Sequence, residues 1–136
     1  MAIITVTTLS ETTAYVDKKG ERWVLTGDLG HIDSDGFVYF TGRKKNLIIL
    51  DNGKNVYPEE LEHLIGLIEG VTEVLVYAED EMITAEIYAE DISVKDAGTD
   101  EIKNKLNPSI AQYKQIRKIK FRTTEFEKTT TKKIKR

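Results

Sequence analysis

The sequence predicts an α+β fold, a small domain of short sheets and helices, and three observations carry that expectation. Leu61, Leu64, Ile65 and Ile68 recur at helical spacing within "PEELEHLIGLIEG" and make one apolar stripe. In "MITAEIYAE", Ile83, Ala85, Ile87 and Ala89 alternate with Thr84, Glu86, Tyr88 and Glu90, as in a strand with one buried and one wet face. The elements follow as strand, helix, strand, strand, helix, strand over residues 46–123, an order that suits α+β rather than regular β-α repeats.

The stretches "RWVLTGDLG" and "GFVYFTGR" read as two β runs joined by "HIDSDG", whose Asp33, Ser34, Asp35 and Gly36 are turn formers, so a hairpin is expected. The same cluster raises a calcium loop, but the glycine comes too early and no glutamate closes the motif. "NLIIL" is a short apolar strand that "DNGKN" breaks with a tight Asn-Gly turn. Pro58 suits the first helical position, Glu59 and Glu60 complement the positive end of the dipole, and Gly70 suits the exit, giving a helix over 58–70. His63 lies off the apolar stripe and reads as a surface residue.

Further on, "TEVLVYA" and "MITAEIYAE" pair as strands around "EDE". "TDEIKNKLN" and "PSIAQYKQI" follow as short helical pieces broken at Pro108. "RKIKFRT" returns to alternation, with Ile119 and Phe121 inward and Lys118, Lys120 and Arg122 on a solvated face.

At 136 residues the chain fits one domain, or a small domain plus a piece of another. Hydrophobic content of 40% and charged content of 32% describe an ordinary soluble protein. No apolar run approaches the ~18 residues of a membrane span. "MAIITVTTLSETT" lacks a charged leader with an apolar run, and zero cysteines exclude disulfides and thiolate chemistry; a cytoplasmic location is the expectation. The net charge of -3 hides an asymmetry: Lys114 to Arg136 holds ten basic and two acidic residues, while residues 1–113 hold 10 basic and 21 acidic. A basic end of that kind can meet nucleic acid, an acidic partner or coenzyme phosphates.

Signals of a self-contained enzyme are missing. The two histidines, His31 and His63, lie far apart in sequence, no metal-ligand spacing occurs, and no glycine-rich loop ends in Gly-Lys-Ser or Gly-Lys-Thr. "NGKN" is too short to cradle a triphosphate. The terminal "EKTTTKKIKR" poses the sharpest choice, between a solvated basic tail and a segment that delivers one lysine to an active site.

Three stretches in order, "TGDLG" (26–30), "GRKKNLIILDNGKNVYPEELE" (42–62) and "KTTTKKIKR" (128–136), resemble the C-terminal part of the adenylate-forming synthetases. That superfamily includes acyl-CoA synthetases, firefly luciferase and the adenylation domains of peptide synthetases; the middle motif looks most like the fatty acyl-CoA synthetases. The resemblance implies that Asp28 accepts hydrogen bonds from the ribose hydroxyls of the adenylate and that Arg43 lies near ribose and phosphate. It implies that Lys45 is the hinge, that Gly53, Lys54 and Asn55 line the coenzyme A tunnel, and that Lys133 is the catalytic adenylation lysine. Glu127 stands where the family carries proline, and Lys132 where it carries glycine.

The implied reaction joins a fatty acid to coenzyme A through an acyl-adenylate, using ATP and Mg2+, with AMP as product. Residues 1–44 would end a large N-terminal adenylation domain, and residues 46–136 would be its mobile C-terminal lid. That large domain would be the partner and would carry the phosphate loop, so the 136 residues alone are expected to be inactive. The competing reading is a stand-alone basic module for nucleic acid or another polyanion, using Lys114, Arg117, Lys118, Lys120, Arg122 and the tail. A peptide-synthetase adenylation domain is the alternative within the superfamily.

Overall fold

A computed structural model of the chain describes residues 2–6, 14–16, 19–20 and 22–136. Part of the N-terminal stretch read for a leader lies outside them. The chain divides into two compact units, Met1–Leu47 and Ile48–Arg136. Among the described residues no helix is long and apolar enough to cross a membrane.

The first unit is an antiparallel sheet of β1 (Ala2–Val6), β2 (Ala14–Val16), β3 (Arg22–Ile32) and β4 (Val38–Arg43). Long β3 pairs with the other three. The expected hairpin forms between β3 and β4. Its turn is closed by Asp33, whose Oδ1 accepts the backbone N–H groups of Asp35 at 3.0 Å and Phe37 at 2.9 Å. These bonds hold the Asp33 carboxyl below its usual range, the bond from Phe37 contributing most.

The second unit opens with a small ladder, β5 (Ile48–Ile49) against β6 (Asn55–Val56), followed by α1 (Pro58–Gly66). Then come β7 (Glu73–Glu79) and β8 (Met82–Tyr88), antiparallel to each other, and β9 (Lys118–Arg122), parallel to β8. The crossover from β8 to β9 holds α2 (Val94–Glu101), which continues through a π-helical segment, Ile102–Leu106, into a last turn, Asn107–Ser109. The core lies between this sheet and the helices. Leu61 and Ile65 from α1, Val76 from β7, Ala85 and Ile87 from β8, and Ile102 are all fully buried.

Helix α1 ends at Gly66, four residues short of the expected Gly70. Glycine inside a helix costs about 1 kcal/mol, and Leu67 beyond it is 71% exposed, so no burial offsets that cost. The chain tightens instead into a turn in which the N–H groups of Leu67 and Ile68 donate to the Leu64 and Ile65 carbonyls.

Pro108 does not break the helical segment as expected. It lies within the final turn, after the π-helical residues. The wider π turn relieves the clash between a proline ring and the carbonyl four residues back. In "PSIAQYKQI", Pro108 and Ser109 complete that last turn and Gln112–Lys114 form a 3-10 turn, with extended backbone at Ile110 and Gln115 in place of a second helical piece. Asn107 fastens that stretch: its side chain donates to the Ile116 carbonyl at 2.9 Å and accepts the Ile116 N–H at 2.8 Å.

Thr84, expected on the wet face of β8, is fully buried. It lies on the central strand of the sheet, with Tyr77 on β7 and Lys118 on β9 as its cross-strand neighbours on either side.

Candidate active-site residues

Gly27 adopts φ +75 inside β3, a conformation that costs glycine little and other residues more. The β1–β3 register shifts around it, and the next residue is Asp28. Asp28 faces Arg43 directly across the β3–β4 ladder. Arg43 Nε lies 2.8 Å from Asp28 Oδ1, and Arg43 Nη1 donates to the Thr26 carbonyl at 3.1 Å. The Asp28 N–H in turn donates to Thr26 Oγ1 at 3.2 Å. A carboxylate carries about four lone-pair positions, so pairing on one oxygen leaves Asp28 able to accept further donors. Lys45 occupies a 3-10 turn, Lys44–Asn46, at the end of the same unit, with its side chain exposed.

In the second unit, Gly53 (φ +76) turns the chain between β5 and β6. The turn is closed by Gly53 N–H to the Leu50 carbonyl at 2.8 Å and by Leu50 N–H to the Lys54 carbonyl at 2.9 Å. Asn52 Oδ1 accepts the Lys54 N–H at 3.0 Å. Gly53, Lys54 and Asn55 are all exposed. The Lys54 ammonium lies 5.8 Å from the centre of the Tyr113 ring, within cation–π range. Beside this loop runs a groove of about 430 Å3, lined by Leu50, Lys54, Met82, Tyr113 and Arg117 among others.

The terminal segment is a hairpin. Lys128 bridges Ile134 in antiparallel fashion, and the Lys135 N–H donates to the Glu127 carbonyl at 2.8 Å. The Thr129 N–H donates to the Lys133 carbonyl at 2.7 Å, and the Lys132 N–H to the Thr129 carbonyl at 2.9 Å. Lys132 sits in the turn at φ +60, so a lysine takes the left-handed conformation that the related motif gives to glycine.

Both ends of the hairpin are tied to the unit. Glu73 pairs with Lys128 and accepts the Phe126 N–H at 3.0 Å; Arg136 Nη2 pairs with Glu62 at 2.6 Å. Phe126 is buried, and the Arg122 guanidinium stacks on its ring at 4.1 Å.

The cations expected on a solvated face are mostly paired. Lys118 and Lys120 bind Glu79, Arg122 approaches Glu86, and Lys114 binds Glu60 at 2.8 Å. With Lys128, Lys135 and Arg136 these make seven of the ten basic residues of the C-terminal run held by acids of the same chain. Among the described residues Lys133 makes no ion pair, and its side chain is exposed at the hairpin turn.

Comparison with known proteins shows what these pieces are similar to. The chain is 34% identical over 129 residues to the long-chain-fatty-acid–CoA ligase of Bacillus subtilis, covering 93% of this chain and 22% of that protein. It is 46% identical over 56 residues to the 2-succinylbenzoate–CoA ligase of Listeria innocua, covering 41% of this chain and 12% of that one. The chain matches the C-terminal part of the AMP-forming acyl-CoA ligases, in the adenylate-forming superfamily. The fold agrees with that family: the O-succinylbenzoate coenzyme A synthetase (MenE) of Bacillus subtilis, solved in complex with AMP, superposes with a TM-score of 0.69 at 30% identity. That match covers 87% of this chain and 24% of the synthetase. No family model matches the chain. It spans about a fifth of the length of the long-chain ligase and about an eighth of the succinylbenzoate ligase.

Sequence reasoning did not find the residues that fasten the hairpin, Glu62, Glu73 and Arg136. Glu62 and Arg136 lie 74 positions apart. No local pattern pairs residues at that distance.

Proposed function

We propose that this chain is the C-terminal part of an AMP-forming fatty acyl-CoA ligase and that Lys133 is its adenylation lysine. The observation that carries the reading is the contrast within the tail: Lys128, Lys135 and Arg136 are spent on ion pairs, while Lys133 is held at an ordered turn with its ammonium unengaged. Lys132, its neighbour in the turn, is likewise exposed and outside any ion pair among the described residues, but at φ +60 it shapes the turn, so the place in the family motif together with the free ammonium distinguishes Lys133. An ammonium presented this way can draw a substrate carboxylate and the α-phosphate of ATP together and offset the charge that builds as pyrophosphate leaves.

In this reading Asp28 takes the ribose hydroxyls and Arg43, its partner, offers a permanently charged planar fork toward the phosphate. The Gly53 loop and the groove beside Tyr113 serve the coenzyme A arm. Lys45 acts as a backbone hinge: residues 1–44 end the large domain and 46–136 form the lid. That hinge is supported by its position two residues before the boundary of the two compact units. A missing large domain is supported by the β3–β4 hairpin, where Ile32, Phe37, Val38 and Phe40 each expose more than half of their surface.

ATP, the acid and coenzyme A are substrates. Mg2+ would be bound through ATP and the large N-terminal domain. The fatty-acid preference rests on the match along 93% of the chain to a long-chain ligase. The expected location is the cytoplasm.

ATP–pyrophosphate exchange tests the reading. The full-length ligase should exchange with a fatty acid, Lys133→Ala should lose most of that rate, and the 136 residues alone should show none. Exchange at the normal rate by Lys133→Ala would remove the role given to this lysine.

A further inference from the structure

The two strands of the terminal hairpin are fastened differently. The incoming strand is held by Glu73, which pairs with Lys128 and accepts the Phe126 N–H. The outgoing strand ends in Arg136, which reaches α1 and β7 together. Its Nη2 lies 2.6 and 2.7 Å from the two oxygens of Glu62, and its Nη1 donates to the Val76 carbonyl at 3.1 Å. Glu62 Oε1 also accepts the Val76 N–H at 2.8 Å. Glu62, Val76 and Arg136 thus close a ring of hydrogen bonds around one carboxylate.

We propose that Glu62 is a positioning residue for Lys133: by gripping Arg136 it fixes the outgoing strand and so the place where the turn presents the lysine. The inference rests on the reading of Lys133 as the adenylation lysine. Lys133 lies three residues from Arg136, a separation that extended chain spans with about 10 Å, so anchoring Arg136 confines the Lys133 backbone. The bonds Lys133 itself makes stay within the hairpin: its carbonyl accepts the Thr129 N–H and its N–H points to Thr129 Oγ1 at 3.3 Å. They shape the turn but do not aim it.

The clamp is a stronger tether than the exposed pairs nearby. The side chains of Glu62 and Arg136 are 18% and 29% exposed, against 85% for Glu127 in its pair with Lys135. Water and salt screen such a half-buried, two-point contact less. Burial pushes the Glu62 carboxyl up, against the pull of the Val76 N–H and of Arg136, so its charge leans on these partners. A displacement of an ångström at a reacting group can cost orders of magnitude in rate, which makes aiming of Lys133 consequential.

Glu62→Gln is the informative variant, because the amide oxygen can still accept the Val76 N–H while the ion pair with Arg136 is lost. Arg136→Lys, which keeps the charge and loses the fork, is the second. In the 136-residue chain, hydrogen exchange at the Thr129 and Lys135 amides should accelerate about tenfold in both, with exchange across β7 and β8 unchanged. In the full-length ligase, acyl-adenylate formation should fall about tenfold or more while thioester formation from supplied acyl-adenylate holds. Unchanged exchange in both variants, or an equal fall in both half-reactions, would overturn the positioning role. Lys133→Ala separates the two claims: normal adenylation by that variant sinks the reading of Lys133 and the catalytic half of this inference, whereas the exchange result judges the clamp alone.

Discussion

Arg43 Nε lies 2.8 Å from Asp28 Oδ1, on directly opposed residues of β3 and β4. The sheet itself therefore sets the distance between the two residues assigned to the nucleotide. Asp28→Ala should weaken ATP use by roughly 10- to 100-fold in kcat/KM, the value of charged hydrogen bonds of about 1.5–3 kcal/mol. The fold should lose under about 1 kcal/mol, since the pair is partly solvated. Steady-state kinetics of the full-length ligase check the first figure, and an unchanged kcat/KM for ATP would exclude Asp28 from the ribose site.

Lys132 holds φ +60 where an L side chain is strained by about 1–2 kcal/mol. Lys132→Gly should relieve most of that strain, set against a gain in unfolded-chain freedom of about 0.5–1 kcal/mol. A modest net slowing of Thr129 and Lys135 amide exchange is expected. Lys132→Val should speed it, because a β-branched residue tolerates this conformation least. Faster exchange in the glycine variant would refute the strain argument.

Glu73 predicts a pH response. Burial pushes its carboxyl up, but the Lys128 ammonium and the Phe126 N–H outweigh that, and the group is held below its ordinary range. A carboxyl depressed in the folded state adds stability that is present above its unfolded pKa and is lost as pH falls through its folded one. The hairpin should therefore loosen only in acid, below the ordinary glutamate range, as read from the Phe126 amide resonance. Glu79, depressed by its bonds to Lys118 and Lys120, titrates in the same direction. Glu73→Gln should abolish the response of the Phe126 amide and Glu79→Gln should leave it, which separates the two.

The paired basic run predicts weak binding to polyanions. Anisotropy of a labelled single-stranded oligonucleotide with the 136-residue chain should show little binding at 50 mM salt and a shallow salt slope, since few phosphates would be neutralised by cations without acid partners. A slope corresponding to six or more phosphate contacts would revive the polyanion-binding module.

Ile65 is fully buried where α1 meets the sheet. Ile65→Ala should cost about 2–5 kcal/mol, measured by urea denaturation of the second unit. His63, two residues earlier and exposed, should tolerate alanine within about 0.5 kcal/mol.

Much of the fold was legible because its signals are periodic and local. The alternation of Ile83, Ala85 and Ile87 and the stripe of Leu61 and Ile65 each fall on the buried face. Pro58 begins α1 and Asp33 closes the β3–β4 turn as those residue types favour. The misjudged elements lie where propensity met context. Gly70 and Gly66 both could end α1, and the exposure of Leu67 decided for the earlier one. Pro108 reads as a breaker until the π-helical turn before it makes room.

The sequence alone determined the residue types of the candidate site and the family motifs that mark them. It also determined the charge imbalance of the C-terminal run. Tertiary structure alone decided what that imbalance means. The acids that neutralise it come from residues such as Glu60, Glu62, Glu73 and Glu79, dozens of positions upstream, and charge pairing depends on distance in space rather than along the chain. For the same reason the tail could not be read as ordered from its composition: the bonds that order it join Arg136 to α1 and Lys128 to β7, and those partners meet only once the sheet and helix have packed.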